Sequence, residues 1–225
     1  MALRRSIAIM VGAAALVAAV PALADVKAGV DAWSRGDWNA AVAQWQAPAE
    51  ANDPDALFNL GQAYRLGRGV PQDTAKARDY YARAAKLGHL RAADTYGIML
   101  FQAGERKAAM PYIENAARRG NPSAEYLMGI ALFNGDLVPK DWVRAYALLT
   151  LANAQQLPQA KAALAQMDGY IPLDQRQQAA GLAGRLQAET DAARGRELAA
   201  ADLAAGDEPA TATSSAPLAT ATPRV

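Results

Sequence analysis

The chain has no cysteine and a single histidine, His89. Without cysteine there is no disulfide framework, no thiolate nucleophile and no attachment point for a lipid. With only one histidine besides, no zinc site of the usual ligand spacing can be assembled. An excess of one charge is missing too, since 23 Lys and Arg stand against 22 Asp and Glu. Phosphate backbones are held by surplus cations, so a nucleic-acid partner is not expected. Long apolar runs are scarce. One of about fifteen residues, Ser6 to Val20, falls short of the ~20 that span a bilayer. It follows the basic start "MALRR" and precedes "PALA", with Ala22 and Ala24 at positions −3 and −1, the layout of a secretory signal peptide. Residues 1–24 are read as that leader, cleaved before Asp25, rather than as a retained membrane anchor. The mature chain is then periplasmic or secreted, with a net charge of −1 once Arg4 and Arg5 are gone. Such a fold, half apolar and free of cysteine, must hold itself together by packing alone.

What the chain does have is repetition. "GQAYRLGRGVPQD" at 61–73 returns as "GIALFNGDLVPKD" at 129–141, 68 residues on, and "GIMLFQAGE" at 97–105 is a shorter version. An alanine followed five residues later by glycine recurs as Ala24/Gly29, Ala56/Gly61, Ala92/Gly97 and Ala124/Gly129, at steps of 32, 36 and 32. An acid follows each glycine after eight, twelve, eight and twelve residues: Asp37, Asp73, Glu105 and Asp141. Four residues later stands Ala41, Ala77, Ala109 or Ala145. A helix–loop–helix unit whose loop alone changes length behaves this way. Apolar residues at helical spacing, such as Leu57, Leu60 and Tyr64, make the first helix of a unit amphipathic. Asn52 or Asp53 can cap it, with Pro54 in its first turn. Glycine inside a helix costs up to ~1 kcal/mol against alanine. Four at one repeated position imply a close helix–helix approach, and small Ala56, Ala77, Ala84 and Ala85 carry the same message. In the long loop Gly67 and Gly69 permit left-handed turns and Asp73 caps the next helix, as Asp141 does in the other copy. Leu137 replaces the second glycine there, so the two turns cannot be identical.

"ALFNLGQAYRLGRGVPQDTAKARDYYARAAKLG", residues 56–88, resembles a SEL-one-like repeat, the branch of tetratricopeptide-type repeats with a Gly-x-Gly-Val loop. The likeness is close over 53–89 and good over 122–156, while 25–52 and 90–121 resemble short tetratricopeptide-like units. It implies an all-α fold, a right-handed α/α superhelical solenoid, with units at about 25–52, 53–89, 90–121 and 122–157 and a closing helix at 158–168. Asp174 and Gln177 read as a capping box opening a C-terminal helix at 174–205. That helix is expected to cap the array rather than to dimerise, because Gly181, Gly184 and Gly195 disfavour a coiled coil. "GDEPATATSSAPLATATPRV", 206–225, is low in complexity and is read as disordered. Exported relatives of this appearance are often joined by such a tail to a peptidoglycan-binding SPOR domain. The sequence reads as ending before one, so wall binding by that route is not expected, although the kinship points to an envelope setting.

Catalytic constellations are not found: no Gly-x-Ser-x-Gly, no phosphate loop, and "GRG" at 67–69 belongs to the repeat turn. His89, in a turn between units, reads as a polar surface residue. Asp53 and Asp55 are better explained as helix-start acids than as a hydrolase pair. The expectation is a non-enzymatic scaffold without cofactor or metal. In tetratricopeptide-like units the residues three before and four after the glycine tend to face the groove, as the resemblance implies. These are Val26, Phe58, Asp94 and Tyr126, then Trp33, Arg65, Phe101 and Phe133. Five of the eight are aromatic against 7% of the chain, the type of residue that anchors bound peptides. Trp33, Phe58, Arg65, Phe101, Tyr126 and Phe133 are therefore the candidate partner groove, the last five as one accessible patch. Trp45, Tyr64, Tyr80, Tyr81 and Tyr146 are expected to pack between helices. The partner expected is a peptide or helix of an envelope protein. The alternatives are a peptidoglycan-associated protein and a hydrolase of cell-wall material.

Overall fold

The computed structural model describes residues 25–206, with side chains through residue 199. The expected leader and the low-complexity tail past Gly206 lie outside the described residues. Ten helices follow one another: α1 Val26–Ser34, α2 Trp38–Glu50, α3 Pro54–Leu66, α4 Thr74–Lys86, α5 Leu90–Gln102, α6 Arg106–Arg118, α7 Pro122–Asn134, α8 Trp142–Ala154, α9 Pro158–Met167 and α10 Leu173–Gly206. No strand occurs among the described residues. The helix bounds recur 68 residues on: α2 returns as α6, α3 as α7, α4 as α8, and the end of α1 as the end of α5.

Two compact units divide the chain, one through Ala93 and one from Asp94. In the first, α1 pairs with α2, α2 with α3 and α3 with α4. In the second, α6 packs on α7, α7 on α8 and α8 on α9, while α10 lies along α8. Caps set the starts. Asp37, Asp73 and Asp141 accept from the backbone N–H three residues on, at 3.2, 2.9 and 2.9 Å. Glu105, at the same place before α6, makes no cap bond because its extra methylene is too long for the geometry. Asp53, not Asn52, caps α3, accepting from Asp55 and Ala56 at 3.0 and 2.8 Å.

Each repeated glycine is buried against a large side chain on the following helix. A Cβ on Gly61 would stand 2.8 Å from the Tyr81 ring, and one on Gly129 2.8 Å from Leu149 Cγ. On Gly29 it would overlap the Trp45 indole, and on Gly97 the Cβ of Tyr112. Trp45, Tyr81, Ile113 and Leu149 share one register position and are at most 2% exposed. At Gly29, Gly61 and Gly129 the glycine is the hole and this residue the knob beside it, whereas at Gly97 the nearest side chain is that of Tyr112, one position before Ile113. The Trp45 indole N–H is satisfied by donating to the Val26 carbonyl at 3.1 Å.

The two long loops share a frame, with Asp73 N–H donating to the Tyr64 carbonyl at 2.9 Å and Asp141 N–H to the Leu132 carbonyl at 3.0 Å. Gly67 and Gly135 end α3 and α7 in the left-handed conformation. They differ where expected. Gly69 has φ +73° and a Cβ there would strike the Trp38 backbone, whereas Leu137 keeps φ negative. At the closing turns Asn52 and Gln156 adopt positive φ where Gly88 and Gly120 stand in the middle copies.

Ala179 and Ala183 of α10 pack on Ala147 and Leu151 of α8, flanked by Leu182 and Leu186. Further on, Thr190 Oγ1 donates to the Arg118 carbonyl at the end of α6, at 3.3 Å. α10 begins at Leu173, so Asp174 lies inside its first turn. The Asp174–Gln177 capping box expected from the sequence is therefore not formed, because Pro172 occupies the cap position.

Candidate partner-binding groove

The groove candidates of the first unit part company. Phe58 is only 6% exposed, contrary to its expected place in an accessible patch. The covering group is His89, stacked on its ring at 4.4 Å and 19°, while the Arg91 guanidinium sits 5.0 Å from the ring centroid. His89 is likewise not the surface residue expected of a turn. Its side chain is 12% exposed, and Nδ1 accepts from the Ala92 N–H at 3.0 Å, capping α5. The geometry leaves the ring proton on Nε2, 3.3 Å from Asp55 Oδ1. His89 thus takes the cap position that Asp53 and Asn121 hold in neighbouring copies. Arg65 is exposed, but its Nε donates to the Tyr81 hydroxyl at 3.2 Å. Burial raises the Tyr81 pKa against the pull of that guanidinium. Trp33 is half-buried in an edge-to-face contact with Trp38 at 4.6 Å, and Arg68 stands 4.7 Å from the Trp38 ring.

In the second unit the candidates come together. Phe101, Tyr126 and Phe133 are each half-buried and line one trough across α5, α7 and α9. Three depressions make it up. One of about 190 Å³ lies between Ile98, Tyr126 and Leu157. The next, about 310 Å³, shares Tyr126 and Leu127 with it and reaches Phe101 and Ile130. The last, about 620 Å³, shares Ile130 and Asn134 with the second and runs to Phe133, Met167 and Tyr170. Tyr170, 70% exposed, meets Phe133 edge-on at 6.0 Å. Arg106, with its guanidinium 5.3 Å from the Phe101 ring, and Asp136 are the charged groups lining the trough, and they balance. Asp94, in the register position of Tyr126, is absorbed by an ion pair with Arg119.

Sequence reasoning missed Tyr170, Ile130 and Met167. The signal for Ile130 is that α7, "PSAEYLMGIALFN", is apolar all round and so has a second face to cover. Tyr170 sits in the turn after α9, outside any helical period. Glu125 was missed as well. It is 2% exposed, accepts from Gln155 Nε2 at 2.9 Å, and burial raises its pKa to about 7. Among the described residues no three His, Asp or Glu converge as metal ligands, and no helix is long and apolar enough to cross a membrane.

The family model of the Sel1 repeat matches residues 54–89 and 122–157. Among solved structures, a Sel1 repeat protein from Oxalobacter formigenes is similar at 24% identity and TM-score 0.54, over 64% of this chain and 60% of that one. The protective antigen c5321 of uropathogenic Escherichia coli, which displays an SLR fold, is similar at 18% identity and TM-score 0.56, over 74% of this chain and 37% of that one. The chain thus spans less than two thirds of the length of either. At these identities the likeness speaks for the fold, an all-α superhelical repeat. No curated protein sequence matches the chain.

Proposed function

We propose that the chain, whose residues 54–89 and 122–157 match the Sel1 repeat, is an exported, non-catalytic scaffold holding a peptide or helix of an envelope protein in the trough of α5, α7 and α9. The Sel1 repeat fold is generally a protein–protein interaction scaffold, and its members typically lack catalysis. The observation that carries the reading is the row Phe101, Tyr126, Ile130, Phe133 and Tyr170, which offers a mostly aromatic, charge-balanced surface on α5, α7 and the turn after α9. Aromatic anchors in a preformed groove are what peptide-binding hot spots use. The trough holds no paired acid and base to do chemistry. Export rests on the leader at 1–24 and removal of that segment before Asp25.

The test is capture from an envelope extract with the mature chain carrying a photo-crosslinking residue at position 130. A defined partner should crosslink there, and Phe101→Ala with Phe133→Ala should abolish the adduct while the circular dichroism spectrum stays helical. An adduct that persists in the double variant refutes the trough as the site.

A further inference from the structure

We infer that the trough of the second unit reads a proline-rich, uncharged segment of a partner protein in the polyproline II conformation, with prolines three residues apart seated in two neighbouring slots. This rests on the trough being a peptide site and says which peptide fits it.

The slots are the two larger depressions of the trough, and each lies between successive first helices. One is walled by Phe101 of α5 and Tyr126 of α7, the other by Phe133 of α7 and Tyr170 just beyond α9. Ile130 and Asn134 line both and form the ridge between them. The slots are thus one helix step apart, ~8–10 Å for packed helices. A polyproline II chain has three residues per turn and brings every third residue back to one face after about 9 Å. A β-strand does so after about 7 Å and falls out of step. An α-helix can match the step with residues seven apart, about 10 Å, so spacing alone does not exclude it.

The polar groups do separate the two. Asn134 on the ridge and Gln166 in the second slot are exposed, and neither makes a side-chain hydrogen bond to another described residue. Their amide N–H groups can donate to peptide carbonyls. A bound helix satisfies its own backbone and leaves such donors idle. Polyproline II has no internal hydrogen bonds, and its carbonyls face outward to receive them.

Charge complementarity narrows the choice further. Arg106 and Asp136 both line the first slot and balance, and the second slot has no charged wall. Its complement is a segment without net charge, since an ion placed there would lose water and gain no counter-charge. Proline rings dock in aromatic-lined grooves, and the chain that carries them is ordered before it binds. That preorganisation offsets the small contribution of each neutral contact.

The test is a titration of the isotope-labelled mature chain, followed through the side-chain amide resonances of Asn134 and Gln166. The probe is a capped peptide of alanine and proline with a proline at every third position. The controls are a peptide of the same composition with its prolines side by side, and a capped helix of alanine and glutamine. The spaced peptide should shift both resonances saturably and bind at least about tenfold more tightly than either control. Tyr170→Ala, in an exposed turn outside the helices, should weaken it at least about fivefold. Asn134→Ala, read through Gln166, should weaken it by about 2–10-fold. Equal binding of the two proline peptides overturns the inference, as does a preference for the helical peptide or no shift at about 1 mM. Tight binding that neither variant alters places the peptide elsewhere and overturns it too. In any of these cases a crosslink at position 130 that depends on Phe101 and Phe133 leaves the trough as a site for another kind of peptide. If that crosslink is independent of them, the trough reading falls as well.

Discussion

Gln155 reaches from the end of α8 to donate a 2.9 Å hydrogen bond to Glu125, a carboxyl buried at the register position that Leu57 fills 68 residues earlier. Desolvation outweighs that bond, so the Glu125 pKa rises from 4.5 to about 7. The folded chain therefore binds this proton more tightly than the unfolded chain does. Its contribution is fully present below pH ~4.5 and is lost as pH rises through about 7. A shift of this size corresponds to about 3 kcal/mol. Urea denaturation of the wild type should show that loss between pH 4.5 and 8, and Glu125→Gln should remove it. Parallel pH profiles for the two proteins would show that the carboxyl is not buried as described.

Gly61 and Gly129 have no room for a methyl group, whereas Gly184 meets nothing within 4 Å. Gly61→Ala and Gly129→Ala should lose about 1–3 kcal/mol from overpacking, against the ~1 kcal/mol that alanine gains in a helix. Leucine at either place should lower the melting temperature by several degrees or more. Gly184→Ala should raise it slightly. Equal melts for the three alanine variants would contradict the close approach.

His89→Ala removes a helix cap and the ring stacked on Phe58. About 1–2 kcal/mol should be lost. His89→Asn should recover part of it, since Asn121 caps α7 from the same register position at 3.2 Å. A melt of His89→Asn no better than that of His89→Ala would deny the capping role.

Gly69 combines a φ of +73° with contact to the Trp38 backbone. Gly69→Ala should therefore be worse than Gly67→Ala, whose nearest neighbour is the side chain of Gln72. Calorimetry should rank them in that order. The reverse ranking would mean that strain at the helix end, rather than crowding against α2, dominates the loop.

The helix pairs were legible because a missing Cβ is a statement about backbone spacing, and Gly29, Gly61, Gly97 and Gly129 repeat it with a fixed period. The caps were legible for the same reason, one acid at one offset, although Glu105 shows that the offset does not guarantee the bond. The groove was only half legible. Register tells which way Phe58 points but not that His89, itself the next cap, will lie on top of it. Glu125 carries no sign of burial in sequence, because the partner that meets it, Gln155, lies 30 residues on at the end of α8. Tyr170 belongs to a turn with no period, and pattern reading does not reach it.

The coincidence of helix ends at α2 and α6, α3 and α7, and α4 and α8 has a bearing on how such a chain can change size. Excising residues 54–121 would splice Asp53 directly onto Pro122, and duplicating them would insert a whole copy. At the splice Asp53 would stand where Asn121 caps α7, so that helix would still begin on a capping side chain. Length is thus free to vary by whole modules, whereas losing a handful of residues from inside a helix would throw every later glycine off its bulky neighbour.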